Sequence, residues 1–305
     1  MTHRHLLARQ LRALRYALGP RYYSPGDPAI QTVDMAYSVY KLPHSQLKQP
    51  PIFQMHGLNG SRAHWRRINR QLAKRGSRPI IAVDVRNHGE TPHSPDHTPR
   101  HMAADAAAFI KYHKIKRVLA LGYGVGARAL MTLALRNPGM VERGIFVDMT
   151  PGQLSKEITK MSIVFKTMLD VLPTIPKKST LSEGRMFILP SFAKIMRSDL
   201  ELILIMHNLK KTTSGFAWRT NPQAILDGWQ DTLVDFEKTI EGLPPFVNET
   251  LLVVGTNTGY VSKDNVETMK KYFPNLSVEY LESDDRVHLD QPDKLIKLIV
   301  NFSKG

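Results

Sequence analysis

Five short apolar runs, each bounded by turn residues, recur along the chain. They are rich in Ile, Val and Leu and show little alternation of apolar with polar positions, which is typical of strands covered on both faces. The pattern therefore predicts strands at residues 51–55, 79–83, 118–121, 144–147 and 251–254.

Helical patterns lie between these runs. Ser61 is predicted to cap a helix that runs to about Arg75, ahead of Gly76, and another helix covers residues 127–136, before Asn137-Pro138. Strands that alternate with helices over this length predict the α/β class, with a doubly wound and mostly parallel sheet.

The pattern changes in residues 151–245. Apolar residues there recur at helical spacing among several prolines, and no run reads as a convincing strand. The sequence therefore predicts a helical lid inserted between the fourth and fifth strands, with the core of the domain formed by residues 24–150 and 246–305.

Length and composition narrow the class of protein. A chain of 305 residues builds one large core, and the absence of cysteine excludes disulfides, thiolate zinc sites and a cysteine nucleophile. No apolar run reaches the roughly 18 residues that a membrane-spanning helix needs, so no transmembrane segment is predicted. The 42 basic residues against 27 acidic ones give a net charge of +15, which indicates an acidic partner, a basic compartment, or both.

The first 23 residues have the composition of a targeting signal. They carry five arginines and no acid, and leucines recur at helical spacing. This composition predicts a cleaved mitochondrial transit peptide and location in the mitochondrial matrix. The alternative is an uncleaved basic arm or surface helix.

A glycine-rich turn, Gly-Tyr-Gly-Val-Gly at residues 122–126, follows the third predicted strand and opens a helix. This outline fits two unrelated sites, a nucleophile elbow written G-x-S-x-G and a dinucleotide loop written G-x-G-x-x-G/A. Gly122, Gly124 and Ala127 match the dinucleotide loop, and Asp148 ends the next strand, where a ribose-binding acid belongs. Against that interpretation, the dinucleotide fingerprint usually opens its fold, whereas two strands precede this turn. No cofactor is predicted.

Two further motifs follow the first two strands: HGLNGS at residues 56–61 and DVRNHGETPHSP at residues 84–95. Together with GYGVG and with FAWRTN at residues 216–221, they resemble the α/β-hydrolase fold. The resemblance is to the subfamily of abhydrolase domain-containing protein eleven and the bacterial acyl-esterases like it, and it covers about residues 51–292. It implies an α/β-hydrolase fold with a lid and the hydrolysis of acyl esters or thioesters.

The resemblance also assigns the catalytic triad, and two of its three positions are changed. The serine position is Gly124, the histidine position is Asp285, and the acid is Asp148. Glycine has no side chain, so no acyl-enzyme forms there, and loss of the nucleophile or base alone costs about a million-fold in kcat. The sequence thus predicts a catalytically inactive pseudoenzyme that acts as a binding or structural subunit.

Two alternatives to that prediction stay open. One is an acyl ester or thioester hydrolase with residual or rerouted activity, and the other is a ligand sensor or a chaperone-like partner of a matrix enzyme. Both use a pocket that the backbone preserves, because the oxyanion hole of this fold consists of backbone N–H groups. These map to Leu58 and Val125, with His56 and Gly57 shaping the turn. The pocket predicts a small acyl ligand.

Several titratable groups have more than one interpretation. Asp148 and Asp285 are expected to face each other, either as a partly neutral or Arg-paired dyad or as an aspartic-type or metal site. His288 is a displaced base or a satisfied histidine. His93, His97 and His101 have the spacing of zinc ligands on a helix, but Pro95 and Pro99 interrupt that helix, so we predict a loop and no metal site.

Residues 62–78 hold seven basic residues and no acid. Trp65, Ile68 and Leu72 form the inward stripe of the predicted helix, which turns the basic residues outward. They predict a surface that contacts phosphates of a ribonucleoprotein, with mitochondrial ribosomal RNA and proteins as the candidate partner; the alternative is a solvated basic face. Contacts would be to backbone and shape, without sequence-specific readout. The predicted surface consists of Arg62, Arg66, Arg67, Arg70, Lys74, Arg75 and Arg78.

Overall fold

A computed structural model describes residues 30–41, 49–76, 78–154, 158–196 and 198–304. The predicted transit peptide, residues 1–23, lies outside the described residues. A seven-stranded sheet has the order β1-β3-β2-β4-β5-β8-β9, and a separate two-stranded hairpin is formed by β6 and β7. The strands are β1 (Tyr37–Tyr40), β2 (Ile52–Met55), β3 (Ile80–Val83), β4 (Val118–Tyr123), β5 (Val141–Val147), β6 (Leu209–Thr212), β7 (Gly215–Trp218), β8 (Thr250–Gly255) and β9 (Leu276–Leu281).

Strand β1 is antiparallel to β3, and every other pairing in the large sheet is parallel. The prediction of a doubly wound, mostly parallel sheet is therefore confirmed. Helices cover both faces of it. They are α1 (Arg66–Arg75), α2 (Pro99–Tyr112), α3 (Val125–Arg136), α4 (Ile158–Val171), α5 (Leu181–Ala193), α6 (Asp199–Asn208), α7 (Pro222–Asp227), α8 (Phe236–Ile240), α9 (Lys263–Tyr272), α10 (Val287–Asp290) and α11 (Pro292–Phe302). Within the described ranges, no helix is both long and apolar enough to cross a membrane.

The central strands are apolar at successive positions because both faces of the sheet are buried. Phe53 packs into a cluster with α2 and α3, whereas its neighbour Ile52 packs into a second cluster with α1 and α11. Leu252 and Leu251 divide between the two clusters in the same way. Side chains alternate between the faces of a strand, so continuous apolar runs are what a two-sided core requires.

The lid lies between β5 and β8 and has a small core of its own. Phe165, Phe192 and Trp218 are buried in it, and the Trp218 indole donates a 2.7 Å hydrogen bond to the carbonyl of Met168. The prediction that this segment contains no strand is wrong, because β6 and β7 form an antiparallel hairpin here. Each strand has four residues, and β6 carries two lysines, so no apolar run marks it.

A buried arginine joins the lid to the core. The Arg128 guanidinium donates to the carbonyls of Thr150 and Gly152 at one end of the lid and to those of Thr232 and Leu233 at the other. Burial lowers the pKa of Arg128 to about 9, so the group keeps its charge near neutral pH. These charge-assisted hydrogen bonds to carbonyls hold both ends of the lid segment against α3.

The helix after β2 also differs from its prediction. Ser61 does not cap it, because residues 62–65 form turns and α1 begins at Arg66. The carboxylate of Asp84 accepts a hydrogen bond from the backbone N–H of Arg62 at 2.7 Å, and the carbonyl of Ser61 accepts one from His64 at 3.1 Å. These two hydrogen bonds keep residues 62–65 in turns, so the helix begins about one turn later than predicted.

Candidate active site

The glycine-rich turn has the conformation of a sharp strand-to-helix elbow. Gly124 has φ 55° and ψ −127°, and α3 begins at the next residue. A Cβ on Gly126 would lie 2.5 Å from the carbonyl oxygen of His56, so only glycine fits there. A Cβ on Gly124 would contact only the Cα of Gly57, at 3.4 Å. A side chain on Gly124 would therefore point into open space.

The loop after β2 faces this elbow and is held by two histidines. His56 Nε2 accepts a hydrogen bond from the amide of Val85, at 3.2 Å, and its Nδ1 therefore carries the proton that is donated to the Gly57 carbonyl, at 2.8 Å. His88 Nε2 accepts from the amide of Asn59 at 3.2 Å. Burial lowers the pKa of both His56 and His88 to about 3, which keeps both rings neutral and able to accept.

This support leaves the two predicted oxyanion donors available. In the described part of the chain, neither the Leu58 amide nor the Val125 amide donates to a backbone carbonyl. Both residues line one cavity together with Gly57 and Gly124. The lid closes the cavity with side chains that include Met161, Met196, Leu204 and Ile205. The result is an apolar pocket whose lining includes both residues of the predicted oxyanion hole.

Two carboxylates line the same pocket. Tyr123 pairs with Val147 across β4 and β5, so the next residues, Gly124 and Asp148, end neighbouring strands. The carboxylate of Asp148 accepts from the Gly255 amide at 3.2 Å and from the Thr258 hydroxyl at 2.7 Å. Asp285 lines the cavity as well.

Burial raises the pKa of Asp148 to about 7, the two hydrogen bonds oppose the rise, and the negative charge of Asp285 adds to it. Asp148 is therefore partly neutral near neutral pH. The nearby Arg286 does not pair with this dyad. Its guanidinium binds Asp284 at 2.8 Å and the Ser198 hydroxyl at 3.0 Å.

Two imidazoles line the cavity: His288, which the sequence offers as a displaced base or a satisfied histidine, and His64, which belongs to no catalytic motif. His288 stacks on Trp65 with ring centroids 4.9 Å apart and lies 4.5 Å from the ring of Tyr123. Its Nδ1 is buried without a hydrogen-bond partner among the described residues, and burial lowers its pKa to about 3. His64 also lines the cavity, and burial lowers its pKa. Both are neutral wall groups of the pocket.

The histidines at zinc-like spacing do not converge. His93 Nε2 contacts the carbonyl of Arg219 at 3.0 Å, His97 lies buried beside His88, and His101 is on α2, which Thr98 caps. Within the described ranges, no cluster of three or more His, Asp or Glu side chains has the arrangement of a metal site.

The predicted basic surface is smaller than the sequence indicated. Arg66, Arg67, Arg70 and Lys74 are exposed on α1, and none of them forms an ion pair with another described residue. Three members of the predicted set bind acids of this chain instead. Arg62 pairs with Asp84 and Glu90, Arg75 with Asp293 at 3.2 Å, and the buried Arg78 with Glu142 at 2.8 Å.

The chain is similar to known proteins in both sequence and fold. Residues 50–295 match the family described as alpha/beta hydrolase fold. The chain is 27% identical over 280 residues to the sn-1-specific diacylglycerol lipase ABHD11 of Danio rerio, covering 91% of this chain and 86% of that one. It is 23% identical to ethanol acetyltransferase 1 of Wickerhamomyces anomalus, covering 91% and 76%. A solved marine microorganism esterase superposes with a TM-score of 0.76 at 21% identity, covering 89% of this chain and all of that one.

These comparisons contradict the prediction that the chain is not an enzyme, because the relatives are named as a lipase and an acetyltransferase. The prediction rested on the missing side chains at Gly124 and Asp285 alone. The backbone donors, the acid and the lidded pocket, which the sequence also predicts, do not depend on those two side chains. The resemblance to the abhydrolase subfamily is confirmed, and the chain belongs to the α/β-hydrolase fold family.

Proposed function

We propose that the protein hydrolyses acyl esters or thioesters, with water as the direct nucleophile in place of a serine. The observation that carries this proposal is the convergence, on one apolar cavity, of the Leu58 and Val125 amides, the open space above Gly124 and the carboxylate of Asp148. The names of the relatives, a lipase and an acetyltransferase, support acyl transfer as the reaction class.

The chemistry follows from the positions of these groups. The Leu58 and Val125 N–H groups bind the acyl oxygen, and a water molecule in the space above Gly124 attacks the acyl carbon. The Asp148 carboxylate accepts one proton from that water as the carbon–oxygen bond forms. The tetrahedral oxyanion then expels the alkoxide or thiolate, which takes the proton from Asp148, and the products are a carboxylic acid and an alcohol or thiol.

The mechanism implies slow turnover. Serine hydrolases that lose a triad member retain about 10³- to 10⁴-fold acceleration over water, from the oxyanion hole and substrate binding. A carboxylate base whose pKa lies near 7 adds to this, because a general base works best with a pKa near the operating pH. We expect activity well below that of a serine esterase and well above the uncatalysed rate.

The pH dependence of kcat/KM tests this proposal. Because Asp148 acts as its carboxylate, kcat/KM for a short-chain p-nitrophenyl ester is expected to rise as the pH increases through about 7 and to level off above it. Thr258→Val removes a hydrogen bond that stabilises the carboxylate, so the midpoint moves to higher pH. Asp285→Asn removes a negative charge near Asp148, so the midpoint moves to lower pH.

The variant Asp148→Asn lacks the proposed general base and is expected to lower kcat/KM about 10²- to 10⁴-fold. Asp293→Asn, which alters an exposed acid paired with Arg75, is the control and leaves the pH profile unchanged. Equal activity of Asp148→Asn and the unaltered chain, or variants whose midpoints do not move in opposite directions, would remove Asp148 from the mechanism.

A second function rests on the exposed basic face of α1. We propose that Arg66, Arg67, Arg70 and Lys74 bind a polyanion such as mitochondrial ribosomal RNA, with the protein located in the matrix. The support is that these cations have no acidic partner among the described residues.

Reversing Arg66, Arg67 and Arg70 to Glu is expected to abolish co-sedimentation of the tagged protein with a ribonuclease-sensitive particle, and high salt has the same effect on the unaltered chain. Lys270→Glu with Lys271→Glu, on α9, is the matched control. Co-sedimentation that survives the triple reversal would exclude α1 as the contact.

A further inference from the structure

The outward faces of three lid helices carry large apolar side chains among their exposed polar residues. Met186 and Phe187 on α5 are 64% and 52% exposed, Ile203 on α6 is 50% exposed, and Ile163 on α4 is 49% exposed. Helix α5 packs against both α4 and α6, so these side chains belong to adjoining helices. Elsewhere on the described surface, large exposed apolar residues are scattered singly, as at Val39, Val247 and Tyr280.

Helices α5 and α6 are apolar on their inner faces too. Ile188 and Phe192 of α5 are buried in the lid core, and Leu204 and Ile205 of α6 line the cavity. Polar residues such as Glu183 and Asp199 are exposed at the starts of these helices, but the large exposed apolar side chains lie close together on adjoining helices. A clustered exposed apolar patch marks an interaction surface, whereas scattered apolar residues do not.

Lysines border these apolar residues. Lys160 and Lys166 lie about one turn before and after Ile163 on the exposed side of α4, and Lys194 follows the end of α5. Exposed Lys177 and Lys178 lie in the segment before α5. Long lysine side chains place their charges at anionic headgroups while the apolar residues between them enter the acyl boundary.

We propose that the outer face of the lid docks on the surface of an anionic lipid bilayer, from which an acyl chain enters the cavity. Helix α6 belongs to both the outer face of the lid and the cavity. Its Leu200 and Ile203 face outward, whereas Glu201, Leu204 and Ile205 line the cavity. Arg286 holds the start of this helix through the Ser198 hydroxyl. The choice of a lipid ester rests on the proposed function, whereas docking itself does not require turnover.

Vesicle co-sedimentation of the full chain tests the docking. The unaltered protein is expected to bind vesicles of phosphatidylcholine mixed with phosphatidylglycerol more tightly than vesicles of phosphatidylcholine alone. Two double variants are each expected to lower the affinity about tenfold or more. One is Met186→Ser with Phe187→Ser, and the other is Leu200→Ser with Ile203→Ser. Lys160→Glu with Lys166→Glu lowers binding about tenfold on the anionic vesicles only, because surface lysines are attracted to anionic headgroups and not to a neutral bilayer.

Val247→Ser is the matched control, because Val247 is 62% exposed and precedes β8. It therefore lies at the amino-terminal end of that strand, whereas the cavity lies at the carboxyl-terminal ends of the strands. This variant is expected to leave binding unchanged. Binding that survives both lid variants would overturn the proposal. A dimer in sedimentation velocity that the Met186/Phe187 variant dissociates, without vesicle binding, would also overturn it and identify a second copy as the cover. Vesicle binding without ester hydrolysis would refute the proposed function and leave the docking intact.

Discussion

Gly124→Ser combined with Asp285→His is expected to raise kcat for ester hydrolysis about 10²- to 10³-fold over the unaltered chain. A serine Cβ at Gly124 meets only the Gly57 Cα, at 3.4 Å, and the acid Asp148 is already held by the Gly255 amide and the Thr258 hydroxyl. An intact triad is worth about a million-fold in kcat, of which a grafted triad recovers only part because its geometry is not optimised.

Gly124→Ser alone is expected to lower kcat, because its side chain fills the space of the attacking water and a serine without its base does not act. Asp285→His alone is expected to change kcat little, because a base without its serine does not act. A fluorophosphonate probe distinguishes the mechanisms directly. The double variant is labelled at the introduced serine and shows an acyl-enzyme burst, whereas the unaltered chain does neither. Labelling of the unaltered chain would mean that a side chain elsewhere is the nucleophile.

The same substitution reports on backbone strain. Gly124 has φ 55°, which L-residues rarely adopt, so Gly124→Ser is expected to cost about 1–3 kcal/mol of stability. A nucleophile elbow accepts that cost to place an oxygen at the floor of the pocket. In this chain the glycine relieves the strain and leaves room for water instead.

Central strands could be predicted from the sequence, whereas edge strands could not. The runs at β2, β3, β4, β5 and β8 are almost continuously apolar because both faces are covered, and such runs predict buried strands. Strands β1 and β9 lie at the two edges of the sheet, and the first four residues of β9 alternate half-buried with exposed positions. Strands with one solvated face do not produce continuous apolar runs.

The residues of the candidate site also divide into those that the sequence predicts and those that it does not. Residues whose role depends on backbone position, such as Leu58, Gly124 and Val125, follow from the loop motifs. Thr258, whose hydrogen bond opposes the burial-driven rise in the pKa of Asp148, belongs to no motif and lies 110 residues from Asp148 in the sequence. His64, Glu201 and Arg286 likewise join the cavity through folding alone.

Charge patterns along the chain also overestimate the exposed surface. Residues 62–78 contain no acid, so the sequence assigns all seven of their cations to one phosphate-binding surface. The acids that bind Arg62 and Arg78 lie 22 and 64 residues away in the sequence. Local composition detects the exposed cations on α1 only because the inward stripe of that helix is apolar.

Arg86→Met is expected to destabilise the protein by about 3–5 kcal/mol, the typical cost of breaking a buried ion pair by removing one partner. The Arg86 side chain is fully buried and binds both carboxylate oxygens of Asp105, at 2.7 and 2.8 Å. It also donates to the carbonyls of Gln31 and Asp96. The melting temperature is expected to fall by roughly 5–15 °C in circular dichroism, with a matching decrease in the free energy of unfolding in urea.

The double variant Arg86→Met with Asp105→Leu separates the ion pair from its surroundings. Because replacing both charges by apolar groups of similar volume is often nearly neutral, the double variant is expected to be more stable than Arg86→Met alone. The coupling energy between the two sites should exceed about 1 kcal/mol. Additive effects would show that Arg86 stabilises the fold through the carbonyls of Gln31 and Asp96 and not through Asp105. Arg86 lies two residues before His88, which supports the oxyanion loop, so the single variant is also expected to lower kcat/KM at temperatures where it remains folded.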